Sequence, residues 1–451
     1  MGNFYTKAEA SFKHSVFEFK TSLMQPKIKR VARQMLALEN ASAAELKSLQ
    51  RRNCSAIALY AFQNTNFYED YYRSHGFSAS DLADPESFPE LPVITKNQLR
   101  EHNKNFISRS ASPKRWLPSR TGGSTGEPLE LLHDKDAPTA AFWWTAYRWA
   151  GALPSSDVGF IQRERRERSQ RWAEMVQWWP TRRVFLDSRM MTAHSISQFV
   201  TTFRQNPNFI IIGYVGAVLE LADHLQRTGE QLPGLQSVSV TAAPLDAASR
   251  AQLERVFNVP VLNQYRSAEI PWIAAQCRQG SNLHILASHR YVEINQPGSG
   301  SKPAARSGNL LITDFANKVF PLVKYDIGDT SSFAEGTCLC GSSLPMLRPV
   351  DGRVTDTLRL PGGRAITGGL TGLFNKYPHA VRQFQIFQGE DRSLTLRCIA
   401  TNAAALPDIE RARADLASLV EGLVPVSVQL VDTIPHDRGK SRIVQTEVPR
   451  S

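Results

Sequence analysis

FIIIGYVGAVLELADHLQRTGEQLPGLQSVSVT, residues 209–241, holds two short apolar runs around an amphipathic stretch. The runs Phe209–Gly213 and Ser237–Thr241 read as buried strands, and Val215 to Leu225 repeats its apolar positions at helical spacing. A second helix at Ala247–Phe257 and a third strand at Val259–Asn263 continue the pattern. Strand, helix, strand, helix, strand in that order predicts parallel pairing through right-handed crossovers.

The same texture of short apolar runs, glycines and helical stretches begins near Trp116 and includes Gly308–Thr313, which predicts an α/β layer architecture. Upstream the pattern is helical, with Leu46, Leu49, Ile57 and Phe62 marking Ser42 to Tyr72 as helix. Pro85, Pro89 and Pro92 then interrupt it before a further helix over Lys96 to Asn103. Downstream of Pro349 lie a strand at Ser393–Ile399, a helix at Leu406–Leu423 and a strand at Val426–Val431 beyond Pro425. The expected architecture is a large N-terminal α/β domain with layered mixed sheets and helices over residues 1–351, including a helical lead-in to about 110. A small α+β domain follows over residues 352–451.

The 451 residues exclude a small module, and 53 Lys+Arg against 42 Asp+Glu give a net charge of +11. That excess is spread along the chain instead of forming the basic tail of a nucleic-acid binder. Its densest run, Arg163-Glu164-Arg165-Arg166-Glu167-Arg168, reads as a solvated face or as a surface for anionic groups. Five cysteines suit a reducing cytoplasm better than a disulfide framework. No apolar run reaches the roughly 18–20 residues that span a bilayer, and no secretory leader is evident, so a cytoplasmic protein without membrane insertion is expected. Gly2 and Thr6 match the loose myristoylation pattern, which chance meets often.

Arg120-Thr121-Gly122-Gly123-Ser124-Thr125-Gly126-Glu127-Pro128 combines backbone freedom with hydroxyl donors, which suits polyphosphate oxygens, yet it lacks the lysine of a P-loop. Five further segments follow it in order: Thr241-Ala242-Ala243-Pro244-Leu245, Gln264-Tyr265-Arg266-Ser267-Ala268-Glu269, Lys324-Tyr325-Asp326-Ile327-Gly328-Asp329, Gly352-Arg353-Val354-Thr355-Asp356 and Ile434-Pro435-His436-Asp437-Arg438-Gly439-Lys440. Together they resemble the adenylate-forming superfamily of acyl-CoA synthetases and adenylation domains. Within it, residues 80 to 445 look most like the phenylacetate-CoA ligase branch and its CapK-type relatives, including Leu283-His284, Phe320–Tyr325 and Cys338-Leu339-Cys340-Gly341.

The resemblance implies a role for each segment. Thr121, Gly122, Gly123, Ser124, Thr125 and Gly126 would hold the pyrophosphate of ATP, and Glu269 would bind Mg²⁺. Tyr265 with Ala242, Ala243 and Pro244 would sandwich the adenine, Asp329 would accept the ribose hydroxyls, and Arg353 would sit near ribose and phosphate. Lys440 would reach the α-phosphate from the small domain, which acts as a mobile lid. The chain departs from the family pattern at Thr355, where an Asp or Lys hinge is usual, at Ala242-Ala243, where a Gly and a Glu are common, and at Arg266, where a Gly is usual. Those departures weaken the case for CoA as acceptor, although Gly362 remains at the position that lines the acceptor tunnel.

Cys277, His284, Cys338 and Cys340 form a set suited to tetrahedral Zn²⁺, and related ligases include members with such a site; the plain alternative is a buried apolar cysteine and a core histidine. Aromatic residues Trp143, Tyr147, Tyr214 and Trp272 are candidates for a pocket around a flat acid, or for core. The expected function is ATP-dependent activation of an aryl or acyl carboxylic acid as its acyl-adenylate, with transfer to CoA. Alternatives are transfer to an amine or hydroxyl, as on a sugar, adenylation of an unusual acid such as nitrite, or a non-catalytic nucleotide-binding relative. The expected partners are a small carboxylic acid and a nucleotide, with no nucleic acid.

Overall fold

Phe209–Tyr214 is the central strand of a parallel set, flanked by Asp157–Gln162 on one side and Leu235–Thr241 on the other. Arg183–Asp187 and Val261–Tyr265 extend the set at its two edges, also in parallel. Helices cover such a sheet on its faces, so its strands carry continuous apolar runs instead of alternating ones. Phe209 to Gly213 are accordingly all buried. The helices Ala193–Arg204, Val215–Thr228 and Ala247–Phe257 supply Phe199, Phe203, Val218, Leu221 and Leu253 to the core beneath the sheet. Gly213 is needed where the following helix folds back: a Cβ there would lie 2.6 Å from Val218 and 3.0 Å from the Ile161 carbonyl.

The computed structural model describes the chain except residues 1, 121–128, 163–167, 189–190, 205–208, 296–306, 351, 354–356, 362–364, 368–369, 371–372, 375, 378, 435–442 and 449–451. Its described contacts divide into two units. The first comprises residues 1–25, 147–264 and 349–451, and holds the parallel sheet. It also holds a four-stranded sheet in the order Val426–Leu430, Leu394–Ala400, Val381–Gln388, Val444–Thr446, antiparallel at the centre and parallel at both edges. The helix Leu406–Leu419 packs Ile409, Ala412 and Leu416 into that sheet's core. It ends four residues earlier than the sequence pattern suggests, because Glu421 and Gly422 both take left-handed backbone angles.

The second unit comprises residues 26–146 and 265–348. Its helical part is Pro26–Leu38, Ala43–Asn64 and Asn66–Ser74. The expected single helix from Ser42 to Tyr72 is broken at Thr65, which turns extended and caps the next helix through its hydroxyl, 3.2 Å from the Tyr68 amide. Lys96–Glu101 is likewise shorter than expected and passes into a 3₁₀ turn at Asn103–Phe106. Antiparallel pairings complete the unit: Arg290–Asn295, Gly308–Asp314 and Tyr325–Ser331 pair in that order, as do the short strands Met346–Leu347, Leu283–Ile285 and Ala274–Gln276.

Candidate active site and metal cluster

The loop that leaves Tyr265 carries the densest chemistry of the second unit. Tyr265 donates its hydroxyl to Asp329 Oδ2 at 2.8 Å, and both residues are buried. Asp329 sits on the strand Tyr325–Ser331 just past Gly328, whose φ of +78° gives the backbone the turn that glycine tolerates best. Four residues beyond Tyr265, the Glu269 side chain is 4% exposed and paired with Lys96, Nζ to Oε1 at 2.8 Å. The Tyr325 hydroxyl lies 3.5 Å from the same oxygen. Burial, and next the charge of Glu269, pushes the Tyr325 phenol far above its ordinary range, so it stays protonated and acts as a donor.

Sequence reasoning did not single out Lys96 or assign a role to Tyr325. A local signal does fix where Lys96 stands, since Thr95 and Gln98 form a capping box that starts its helix at Lys96. A bridge between Ile94 and Tyr325 holds that helix start beside the strand, with Ile94 N–H donating to the Lys324 carbonyl at 3.1 Å. His133 holds the loop from another side by donating from Nε2 to the Ala268 carbonyl at 2.9 Å. Burial depresses the His133 pKa, which keeps the ring neutral.

Arg266 fills the space that a glycine would leave open. Its guanidinium lies 4.6 Å from the ring centres of both Trp143 and Trp272, and those rings meet edge to face at 4.8 Å. Its Nε donates to the Pro271 carbonyl at 3.0 Å. Beneath them, the fully buried Arg290 pairs with Asp314 and donates to the Trp272 carbonyl. The structure thus brings together Tyr265, Glu269, Asp329, Trp143 and Trp272 within one unit.

The other candidates belong to the first unit or lie outside the described residues. Ala242, Ala243 and Pro244 follow the strand Leu235–Thr241, and Ala242 has φ of +72°. Tyr214 packs half-buried against the core of the parallel sheet, and Tyr147 is buried at 3% exposure. Arg353 lies in the short strand Gly352–Arg353, and its side chain is not described. Thr121, Gly122, Gly123, Ser124, Thr125, Gly126, Thr355, Gly362 and Lys440 lie outside the described residues.

The four cysteine and histidine candidates converge. Their ligand atoms all lie within 4.8 Å of one another, with Cys277 Sγ to Cys338 Sγ and Cys340 Sγ to His284 Nε2 both at 3.4 Å. A tetrahedron of sulfur ligands about 2.3 Å from a central ion has edges of about 3.8 Å, so the cluster has the right size for a metal. The thiols compete for charge: burial pushes Cys277 up to about 12. Cys338 is buried too, yet hydrogen bonds from the Cys340 backbone and the Cys277 thiol outweigh that and hold it below the ordinary thiol value. Binding of a cation would displace the remaining thiol protons, since the thiolate is the ligand. A Cβ on Gly280 would lie 2.9 Å from the Cys338 sulfur, so the turn after Cys277 is close-fitted to the cluster.

No protein-family model matches the chain. Among solved structures, 2-hydroxyisobutyryl-CoA ligase in the postadenylation state, in complex with R3-HIB-AMP, aligns with a TM-score of 0.73 over 91% of each chain at 17% identity. The phenylacetate-coenzyme A ligase of Thermus thermophilus is 24% identical over 367 residues, 77% of this chain and 79% of that protein. Protein CapK of Staphylococcus aureus is 21% identical over 305 residues, 63% of each. The chain thus has the fold of an adenylate-forming ligase and is similar to such ligases along most of its length. Among curated proteins it is thus similar to phenylacetate-CoA ligases and to CapK.

Proposed function

We propose that the protein activates an aryl or acyl carboxylic acid with ATP, giving the acyl-adenylate and pyrophosphate, and then passes the acyl group to CoA. The observation that carries this is the loop from Tyr265 to Glu269, where a tyrosine bound to one buried carboxylate is followed by a second buried carboxylate paired with a lysine. In the first step a substrate carboxylate oxygen attacks the α-phosphorus, and pyrophosphate leaves with the electron pair of the broken P–O bond. Glu269 would hold Mg²⁺, and its hard carboxylate oxygens fit that ion, which when bound neutralises phosphate charge. Lys96 keeps the carboxylate compensated and aimed in the absence of the ion. Asp329 accepts the Tyr265 phenol and retains lone pairs for ribose hydroxyls, since a carboxylate offers about four acceptor sites.

The remaining roles follow the resemblance. Thr121 to Gly126 would cradle the pyrophosphate, Tyr265 with Ala242, Ala243 and Pro244 would bracket the adenine, and Arg353 would meet ribose and phosphate. Lys440 would neutralise the α-phosphate, carried by a lid over residues 352–451 that turns about the Arg353 to Thr355 hinge. Trp143 and Trp272, with Tyr147 and Tyr214, are proposed to border the acid. Cys277, His284, Cys338 and Cys340 would hold a structural zinc, because three thiolates and one imidazole suit that ion and a fourth protein ligand closes the site to substrate. CoA as acceptor is favoured by the relatives, two of which are named CoA ligases.

Carboxylate-dependent exchange of labelled pyrophosphate into ATP, run over a broad panel of acids, tests the first step. Exchange with at least one acid is expected, falling about 100-fold or more in Glu269→Gln and in Lys440→Ala. Silence across the whole panel would overturn the assignment. Thioester formation with CoA tests the second step, and hydroxamate trapping without any thioester would move the acceptor to an amine or hydroxyl.

A further inference from the structure

The loop that carries Tyr265 and Glu269 is tied to itself. Ile273 N–H donates to the Tyr265 carbonyl at 3.1 Å, and Ile270 N–H donates to the Ser267 hydroxyl at 2.9 Å. Arg266 leaves the chain inside this loop, and its Nε bond to the Pro271 carbonyl at 3.0 Å fixes the side chain at its neck. The guanidinium carbon and the ring centres of Trp143 and Trp272 mark a triangle with sides of 4.6, 4.6 and 4.8 Å. All of these residues belong to the second unit. Trp272 is fully buried, whereas Arg266 and Trp143 are half-buried, so the open side of the triangle is theirs.

A flat ring held between two flat groups needs them about 7 Å apart, roughly 3.5 Å on either side of it. No side of the triangle reaches that, so none of its gaps takes a phenyl group. Nor has Trp272 room to retreat, since buried side chains behind it are close-packed. Arg290 donates to the Trp272 carbonyl there, and its guanidinium lies 5.0 Å from the buried Phe142 ring. The slot that two tryptophans would offer a flat acid is therefore taken, and the flat group in it is the Arg266 guanidinium.

We propose that Arg266 sets the size of the substrate, and that the acid is a short aliphatic one, with or without a hydroxyl group, instead of an aryl acid. The inference rests on the adenylating activity proposed above. On that reading Glu269 holds the metal and Asp329 the ribose, so the reacting carboxylate meets the α-phosphate beside the Tyr265 to Glu269 loop. The carbon skeleton behind that carboxylate then runs into Arg266, the residue next to Tyr265. Arg266 acts by filling space: stacking on two indoles holds the guanidinium in place, and the acid has to end where it begins. A whole phenyl group is a far larger difference than the single methylene that apolar pockets discriminate weakly.

The test is pyrophosphate exchange into ATP by the full-length protein with propionate, lactate, benzoate and phenylacetate. A short acid should exchange with a kcat/KM about tenfold or more above either aryl acid. Arg266→Gly should raise the aryl acids by about tenfold or more, and Arg266→Met, which keeps most of the volume without the charge, should still exclude them. The rise in melting temperature with stable sulfamoyl analogues of propionyl- and phenylacetyl-adenylate reads the same choice without turnover. The propionyl analogue should stabilise the unmodified protein more, and Arg266→Gly should reverse that order. Preference of the unmodified protein for an aryl acid or for the phenylacetyl analogue, an unchanged preference in Arg266→Gly, or aryl acids admitted equally by Arg266→Met would overturn the proposal while leaving the ligase reading intact. Silence across the acid panel with no stabilisation by either analogue would instead overturn the ligase reading, and this proposal with it.

Discussion

At the scale of single residues, Ala242 is the clearest case of strain. Its φ of +72° is a conformation in which a Cβ is penalised by roughly 1–2 kcal/mol. Ala242→Gly should therefore stabilise the protein by about 0.5–1 kcal/mol after the added freedom of the unfolded glycine is offset, measurable by urea unfolding. His289 gives a pH prediction. Burial, and then the neighbouring Arg290, pushes its pKa from 6.5 to about 3. The unfolded chain then binds the proton more readily, so stability from this group is intact above about pH 6.5 and is lost as pH falls toward 3. The loss should reach about 3–5 kcal/mol, and His289→Gln should flatten the acid limb of the stability profile. The motifs that carry Tyr265, Glu269 and Asp329 are visible in the sequence because each lies on one contiguous stretch. Lys96 is not, because its partner stands 173 residues away and nothing local records the pairing. Lys96→Met should cost about 1–3 kcal/mol by leaving Glu269 buried without its cation, a loss that differential scanning calorimetry would register.

At the scale of elements, strands and helices covered by layers were read closely from the sequence, as Ala247–Phe257 and Gly308–Asp314 illustrate. Ends set by single backbone angles were not, since neither the extended Thr65 nor the left-handed pair Glu421 and Gly422 interrupts the apolar periodicity. The cluster of Cys277, His284, Cys338 and Cys340 is assembled at the scale of elements. Cys277 follows the strand Ala274–Gln276, His284 lies in Leu283–Ile285, and Cys338 with Cys340 precedes Met346–Leu347. Three strands of two or three residues each form few ladder bonds with one another, so an ion at this point would add to their cohesion. Purified protein should contain close to one zinc per chain by metal analysis, Cys338→Ser should lose it, and chelation should lower the melting temperature by several degrees until zinc is restored.

At the scale of the whole molecule, the α/β class followed from the order of strands and helices, and the ligase class from the order of motifs; neither depends on any one residue. The division into units was not legible, because contacts that close the second unit join segments separated by more than a hundred residues of the first. That discontinuity bears on synthesis. Residues 26–146 leave the ribosome well before 265–348, and at about 5–20 residues per second the gap lasts roughly 6–24 seconds. Through that interval Tyr68 lacks the Val323 amide that its hydroxyl accepts, and Phe106 lacks the Phe320 ring that stacks on it at 5.6 Å. The nascent helical segment is thus a natural client for a holding chaperone, and its release should coincide with emergence of the strand Tyr325–Ser331.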